Sequence, residues 1–111
     1  MTDYPVNLRL DGMAVLVVGA GAVDDLVAAG AYEPGSAAGY RLVLIRTPDR
    51  ALAQRVFDDA DRAGVWVNSA DDPDRCTFTF PARLRRGDLL VTVSTGGRSP
   101  ALASWLRQRL E

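Results

Sequence analysis

Met13-Ala14-Val15-Leu16-Val17-Val18 is the segment that most limits what this chain can become. Six apolar residues in succession, closed by Gly19, leave no polar face, so a strand formed there must be covered on both sides. That requirement selects a parallel sheet with helices packed on it over a sheet with one wet face. The following residues agree. Residues 22–30 read as a short helix with Leu26 and Val27 inward and Gly30 as its stop, and Pro34-Gly35 marks 31–40 as a loop. A second strand is predicted at 41–46. After it comes a helix from about Asp49 to Ala63, closed by Gly64, with Leu52, Val56 and Ala60 on its apolar side.

Residues 65–68 give a third short strand. Phe78, Phe80 and Ala82 then alternate with polar neighbours before a turn at Arg83–Asp88, whose Arg83, Arg85 and Arg86 are read as solvated. Another strand follows at 89–94. The last helix, 100–110, has Ser99 as N-cap and Pro100 at its first position, with Leu102, Trp105, Leu106 and Leu110 on one face. This alternation predicts an α/β fold, a Rossmann-like three-layer sandwich with a mostly parallel sheet, as one domain over 1–111.

Composition removes several kinds of function. The chain has no histidine, hence neither the usual zinc ligand nor the usual general base, and proton transfer falls to Asp, Glu, Tyr or water. No metal site is expected among its residues. One cysteine, Cys76, excludes an internal disulfide and reads as a small buried hydrophobe. A net charge of −1 gives no electrostatic case for nucleic acid. No apolar run reaches the ~20 residues of a membrane span, and no secretory pattern opens the chain, so a cytoplasmic protein without a membrane partner is expected.

Three places carry chemistry. Gly19-Ala20-Gly21, between strand and helix, is either an ordinary tight turn or a cradle for a pyrophosphate. Asp71, three residues after Asn68 at the end of the third strand, is either a carboxylate for proton transfer or the start of a turn before Pro73, a role Asp72 could equally fill. Ser94-Thr95-Gly96-Gly97-Arg98-Ser99 is either a helix-capping turn or an anion site built from glycine N–H groups and an arginine fork. The first of these turns lacks an acid for an adenosine ribose, since Arg41 stands about where one would fall.

Tyr4-Pro5-Val6-Asn7-Leu8, Val15–Val23, the Asn68-x-x-Asp71 register and Val93–Ala103 together resemble the precorrin-2 dehydrogenase/sirohydrochlorin ferrochelatase family, which includes the N-terminal module of siroheme synthase. The likeness is close over roughly 3–23 and 64–110. It implies oxidation of precorrin-2 to sirohydrochlorin with NAD, with insertion of Fe2+ as a second activity. Gly19, Gly21, Ala22, Val23 and Thr47 would then hold the cofactor, and Asp71 would be catalytic. Asn68 and Ser94, Thr95, Gly96, Gly97, Arg98 and Ser99 would bind the tetrapyrrole.

Ile45-Arg46-Thr47-Pro48-Asp49 keeps the family's Thr47 and Asp49 but puts Arg46 where a small residue is usual. The interval after Gly21 is short by about one strand–helix unit. Most of the family's C-terminal helical segment would lie beyond Glu111. The family pairs its subunits, so a homodimer is expected. The alternative is a shortened relative that binds tetrapyrrole or self-associates without NAD chemistry.

Overall fold

The computed structural model describes residues 3–19 and 32–111. Their contacts divide into two compact units, Arg9–Thr79 and a second made of Met1–Leu8 with Phe80–Glu111.

In the first unit, β1 (Val15–Val18), β2 (Leu42–Ile45) and β3 (Trp66–Ser69) form a parallel sheet in the order β1-β2-β3. Val15 lies opposite Leu42, and Leu42 opposite Trp66. α1 (Arg50–Arg62) connects β2 to β3 and packs on them both. Asp49 caps it by accepting from Leu52 N at 3.1 Å. Leu52, Ala53, Val56 and Ala60 turn inward onto Val18, Val43, Ile45 and Val67. The apolar runs read from the sequence as strands are therefore the core strands, and the α/β class holds. The helix expected over 22–30 lies outside the described residues.

The second unit departs from the expected sheet. β4 (Ala82–Arg86) and β5 (Leu89–Val93) pair antiparallel in a two-stranded sheet of their own. The turn expected over Arg83–Asp88 is only Gly87-Asp88, and Arg83, Arg85 and Arg86 lie on a strand. Gly87, with φ 57, sits first in that two-residue turn, the placement that matches hairpin twist. Arg83 faces Thr92 and Arg85 faces Leu90 across the ladder, and these four line an open groove together with Val6–Leu8. α2 (Pro100–Leu110) packs on both hairpin strands and is capped as expected, with Ser99 Oγ accepting from Leu102 N at 3.1 Å. Of its residues only Ala103 is buried. Leu102, Trp105, Leu106 and Leu110 are all exposed. Among the described residues no helix is long and apolar enough to cross a membrane.

Candidate functional site

The carboxyl edge of the parallel sheet begins at Gly19, which is buried with φ 85. A Cβ placed there would stand 2.8 Å from Thr47 N, 2.9 Å from Arg46 C and 3.0 Å from Arg46 O. The backbone after β1 thus lies directly against the backbone after β2, and any side chain would force them apart. Gly21, Ala22 and Val23 lie outside the described residues. Thr47 is half-buried, and its Oγ1 accepts from Asp49 N at 3.1 Å, so its hydroxyl shapes the entry to α1.

Arg41 does not occupy the ribose position assigned to it from spacing. It stands at the amino end of β2, its N–H bonded to Ala14 O at 2.8 Å, because the strand starts at Leu42. The residue at the carboxyl end of β2 is Arg46. Its Nη1 donates to Ile45 O at 2.8 Å and to Asn68 O at 3.1 Å, laying the guanidinium along the ends of β2 and β3.

At the end of β3, Asn68 is buried and its Nδ2 donates to Phe78 O at 3.0 Å. Thr77 returns along the strand, its N–H reaching Val67 O at 2.7 Å and its Oγ1 accepting from Val67 N at 2.8 Å. Cys76 is half-buried rather than a core residue, with Sγ 3.3 Å from Ser69 N and 3.2 Å from Ser69 O. These contacts fix both ends of the loop that carries the two adjacent aspartates.

The structure separates those aspartates. Asp72 is buried, takes Arg75 Nη1 on both oxygens at 3.1 and 2.9 Å, pairs with Arg50 Nη1 at 3.1 Å and accepts from Ser69 Oγ at 3.4 Å. Asp71 is exposed, has φ 54, and its carboxylate makes no hydrogen bond or ion pair among the described residues. It is the single non-glycine with positive φ among them, a conformation that aspartate tolerates better than most residues. One carboxylate holds the loop, and its neighbour is presented to solvent.

Ser94–Ser99 joins β5 to α2, so it belongs to the hairpin unit and does not extend the parallel sheet. Gly96 and Gly97 are both left-handed, at φ 67 and 79. Ser94 Oγ accepts from Gly96 N at 3.5 Å, Thr95 Oγ1 from Ser99 N at 2.9 Å, and Ser99 is engaged as the cap. Arg98 is exposed and its guanidinium is unpaired among the described residues.

Sequence reading did not find the cluster around Asp59. Its Oδ2 accepts from Tyr32 OH at 2.7 Å and Gly35 N at 2.9 Å, and Arg62 Nη1 lies 3.4 Å from Oδ1. The Gly35 N–H, then the Tyr32 hydroxyl, hold the carboxyl below the ordinary aspartate range. Burial, then the bond to Asp59, raises the Tyr32 phenol above its usual value. The cluster ties the 32–40 loop to α1. Its members stand 24 and 27 residues apart, and no local pattern announces such a pairing.

Residues 24–82 match the family model described as "Putative NAD(P)-binding", and residues 86–111 match one described as "Sirohaem biosynthesis protein central". The chain is 48% identical over 80 residues to a siroheme synthase of Methylococcus capsulatus, covering 72% of this chain and 17% of that protein. It is 46% identical over 70 residues to one of Tolumonas auensis, covering 63% and 15%. Against siroheme synthase 2 of Aeromonas salmonicida it is 35% identical over 141 positions, covering 98% and 29%. That last alignment is longer than the 111-residue chain, so the relative carries residues with no counterpart here. The chain spans less than a third of the length of each of these relatives.

Proposed function

The chain belongs to the putative NAD(P)-binding family whose model covers more than half of it, and we propose that it works in siroheme biosynthesis as a precorrin-2 dehydrogenase. The reaction removes two electrons and two protons from the tetrapyrrole, as a hydride and a proton, to give sirohydrochlorin. The observation that carries the reading is Asp71, exposed and unpaired among the described residues, beside the buried, doubly paired Asp72.

A carboxylate without a partner among the described residues is available to take the proton, and no histidine competes for that role. Asp72, held by Arg50 and Arg75, positions the turn so that Asp71 need not be ordered anew at each encounter. Asn68 holds the returning strand through Phe78 O, so its amide acts on the shape of the site.

The donor set at the sheet edge fits an anionic dinucleotide. Gly19 turns there without a side chain, and Arg46 beside it keeps N–H donors that are unused among the described residues. Gly19, Gly21, Ala22, Val23 and Thr47 would hold NAD, which when bound supplies the hydride acceptor. The consecutive left-handed glycines and Arg98 in Ser94–Ser99 suit carboxylates of the substrate, and Fe2+ would be a substrate of a second, chelating activity.

Asp71→Asn should lower the oxidation rate by about 10²–10⁴-fold, the usual contribution of a general acid or base, while the melting temperature stays unchanged. Absorbance of the tetrapyrrole follows the rate, and a variant keeping more than about a tenth of it removes Asp71 from proton transfer. The competing reading, a shortened relative without redox chemistry, draws on the residues of the A. salmonicida protein that have no counterpart here. A wild-type chain that binds tetrapyrrole but neither binds nor reduces NAD would decide for it.

A further inference from the structure

A two-stranded sheet with one helix packed on it has one face covered and one left over. The residues of β4 and β5 alternate accordingly. Ala82, Leu84, Val91 and Val93 are half-buried, on the side where α2 packs, whereas Arg83, Arg85, Leu90 and Thr92 are exposed. The exposed row is not flat. With Val6–Leu8, Phe80 and Pro81 it bounds an open groove of about 460 Å³, which lies wholly within the hairpin unit.

Two features of this groove belong together. Its walls are largely apolar, and Val6, Leu8, Phe80 and Leu90 are each more than a third exposed. Its charge is of one sign. Arg83 and Arg85 leave the same face of one strand, about 7 Å apart by strand rise, and neither makes a hydrogen bond or ion pair among the described residues. The acids of the unit leave them uncompensated. Glu111 pairs with Arg107, and Asp3 and Asp88 form no ion pair among the described residues. A small inorganic anion would use the arginines and leave the apolar walls wet, and a purely apolar ligand would leave the charges unmet. The combination suits a ligand with an apolar body and carboxylates at its rim.

We propose that the groove binds a polycarboxylate macrocycle, with Arg83 and Arg85 receiving two carboxylates carried on neighbouring carbons of one pyrrole ring. The proposal rests on the tetrapyrrole reading given above and goes beyond it in naming a site on the hairpin face and the side chains that hold the ligand there. β5 runs directly into Ser94–Ser99, so the strand joins this groove to the turn assigned above to substrate carboxylates.

The test is a fluorescence titration of the whole chain with uroporphyrin, which has an acetate beside each propionate, and with coproporphyrin, which has a methyl group in place of the acetate. The wild type should bind uroporphyrin more tightly. Arg83→Gln with Arg85→Gln should weaken that binding by about five- to thirtyfold, the range of one or two exposed ion pairs, and bring the two porphyrins to similar affinity. Arg85→Gln alone should account for part of the loss. Arg86→Gln, the same change of charge on the same strand but outside the groove, should cause none. Circular dichroism should be unchanged throughout, since these side chains hold no partner among the described residues.

A loss as large in Arg86→Gln as in Arg85→Gln would show a general effect of charge and overturn the proposal. So would a double variant that binds uroporphyrin as the wild type does. If the double variant alters sedimentation and leaves porphyrin affinity alone, the face is a contact between copies, and the proposal falls. Each of these outcomes leaves the tetrapyrrole reading standing, because oxidation of precorrin-2 tests it separately. A wild type that binds neither porphyrin overturns the groove, and one that also fails to oxidise precorrin-2 removes both.

Discussion

The two units of this molecule use their apolar residues in opposite ways. In Arg9–Thr79, Val18, Val43, Ile45, Val56 and Val67 are all under 2% exposed, and α1 closes over the sheet. In the hairpin unit Ala103 is the single buried hydrophobic among the described residues, while Leu89, Leu90, Leu102, Trp105, Leu106 and Leu110 stay in contact with water. Charge divides the same way: the hairpin unit has six arginines and three acids, the sheet unit seven arginines and eleven acids. A parallel sheet has two faces to hide and so makes its own core. A two-stranded hairpin with one helix has too little interior to be stable by itself. The lesson is that the first unit is folded by its own burial, whereas the second leaves most of its apolar side chains in water.

The sharpest break of this contrast comes from truncating one side chain in each unit. Ile45→Ala should cost about 2–5 kcal/mol in urea unfolding, by lost transfer energy and the cavity left behind, whereas Leu106→Ala should stay within about 0.5 kcal/mol in the monomer. Similar costs at both positions would show that the hairpin unit has a core after all.

The next effect lies in assembly. The exposed stripe on α2 is expected to bring two copies together at micromolar concentration. Leu102→Ser with Trp105→Ser should shift sedimentation from about 24 kDa to about 12 kDa, with little change in the circular dichroism of the sheet unit. A wild-type chain that sediments only as a monomer at tens of micromolar would set the homodimer aside.

The smallest effect is a pH dependence confined to the sheet unit. Asp59 has its pKa lowered in the folded chain, so its contribution is fully present above the unfolded value of about 4 and is lost as pH falls through the folded value. Stability should therefore decline below about pH 4. Asp59→Asn should reduce that slope and loosen the 32–40 loop, as read by amide exchange at Gly35. An unchanged acid slope would mean that other carboxylates dominate it.

Much of this was legible in the chain. β1, β2 and β3 are short apolar runs stopped by Gly19, by Arg46 and by a polar turn. α1 and α2 begin at Asp49 and Ser99, whose side chains bond the helix N–H groups as their types predict. The hairpin was less plain, because Arg83, Arg85 and Arg86 resemble a solvated turn until their pairing with Leu89–Val93 is known; Gly87-Asp88 was the signal that could have revealed it. The Asn68-x-x-Asp71 register marked the candidate site. Asp72 is distinguished from Asp71 by Arg75, three residues further on, and by Arg50, which arrives from α1 and whose contact no local pattern encodes. The direction of the Arg46 side chain is likewise set by a carbonyl on another strand.

Gly19 has a consequence for how such a chain can change over generations. At Gly87, Gly96 and Gly97 an added Cβ would meet nothing within 4 Å, so a replacement there faces backbone strain alone. At Gly19 it would meet backbone atoms that belong to a different strand end. Every missense change at that codon adds at least a β-carbon, and no single step elsewhere makes room for it without moving Arg46 and Thr47 together. The spacing between the first two strand ends and the missing side chain at Gly19 are therefore one steric property, to be changed together or not at all.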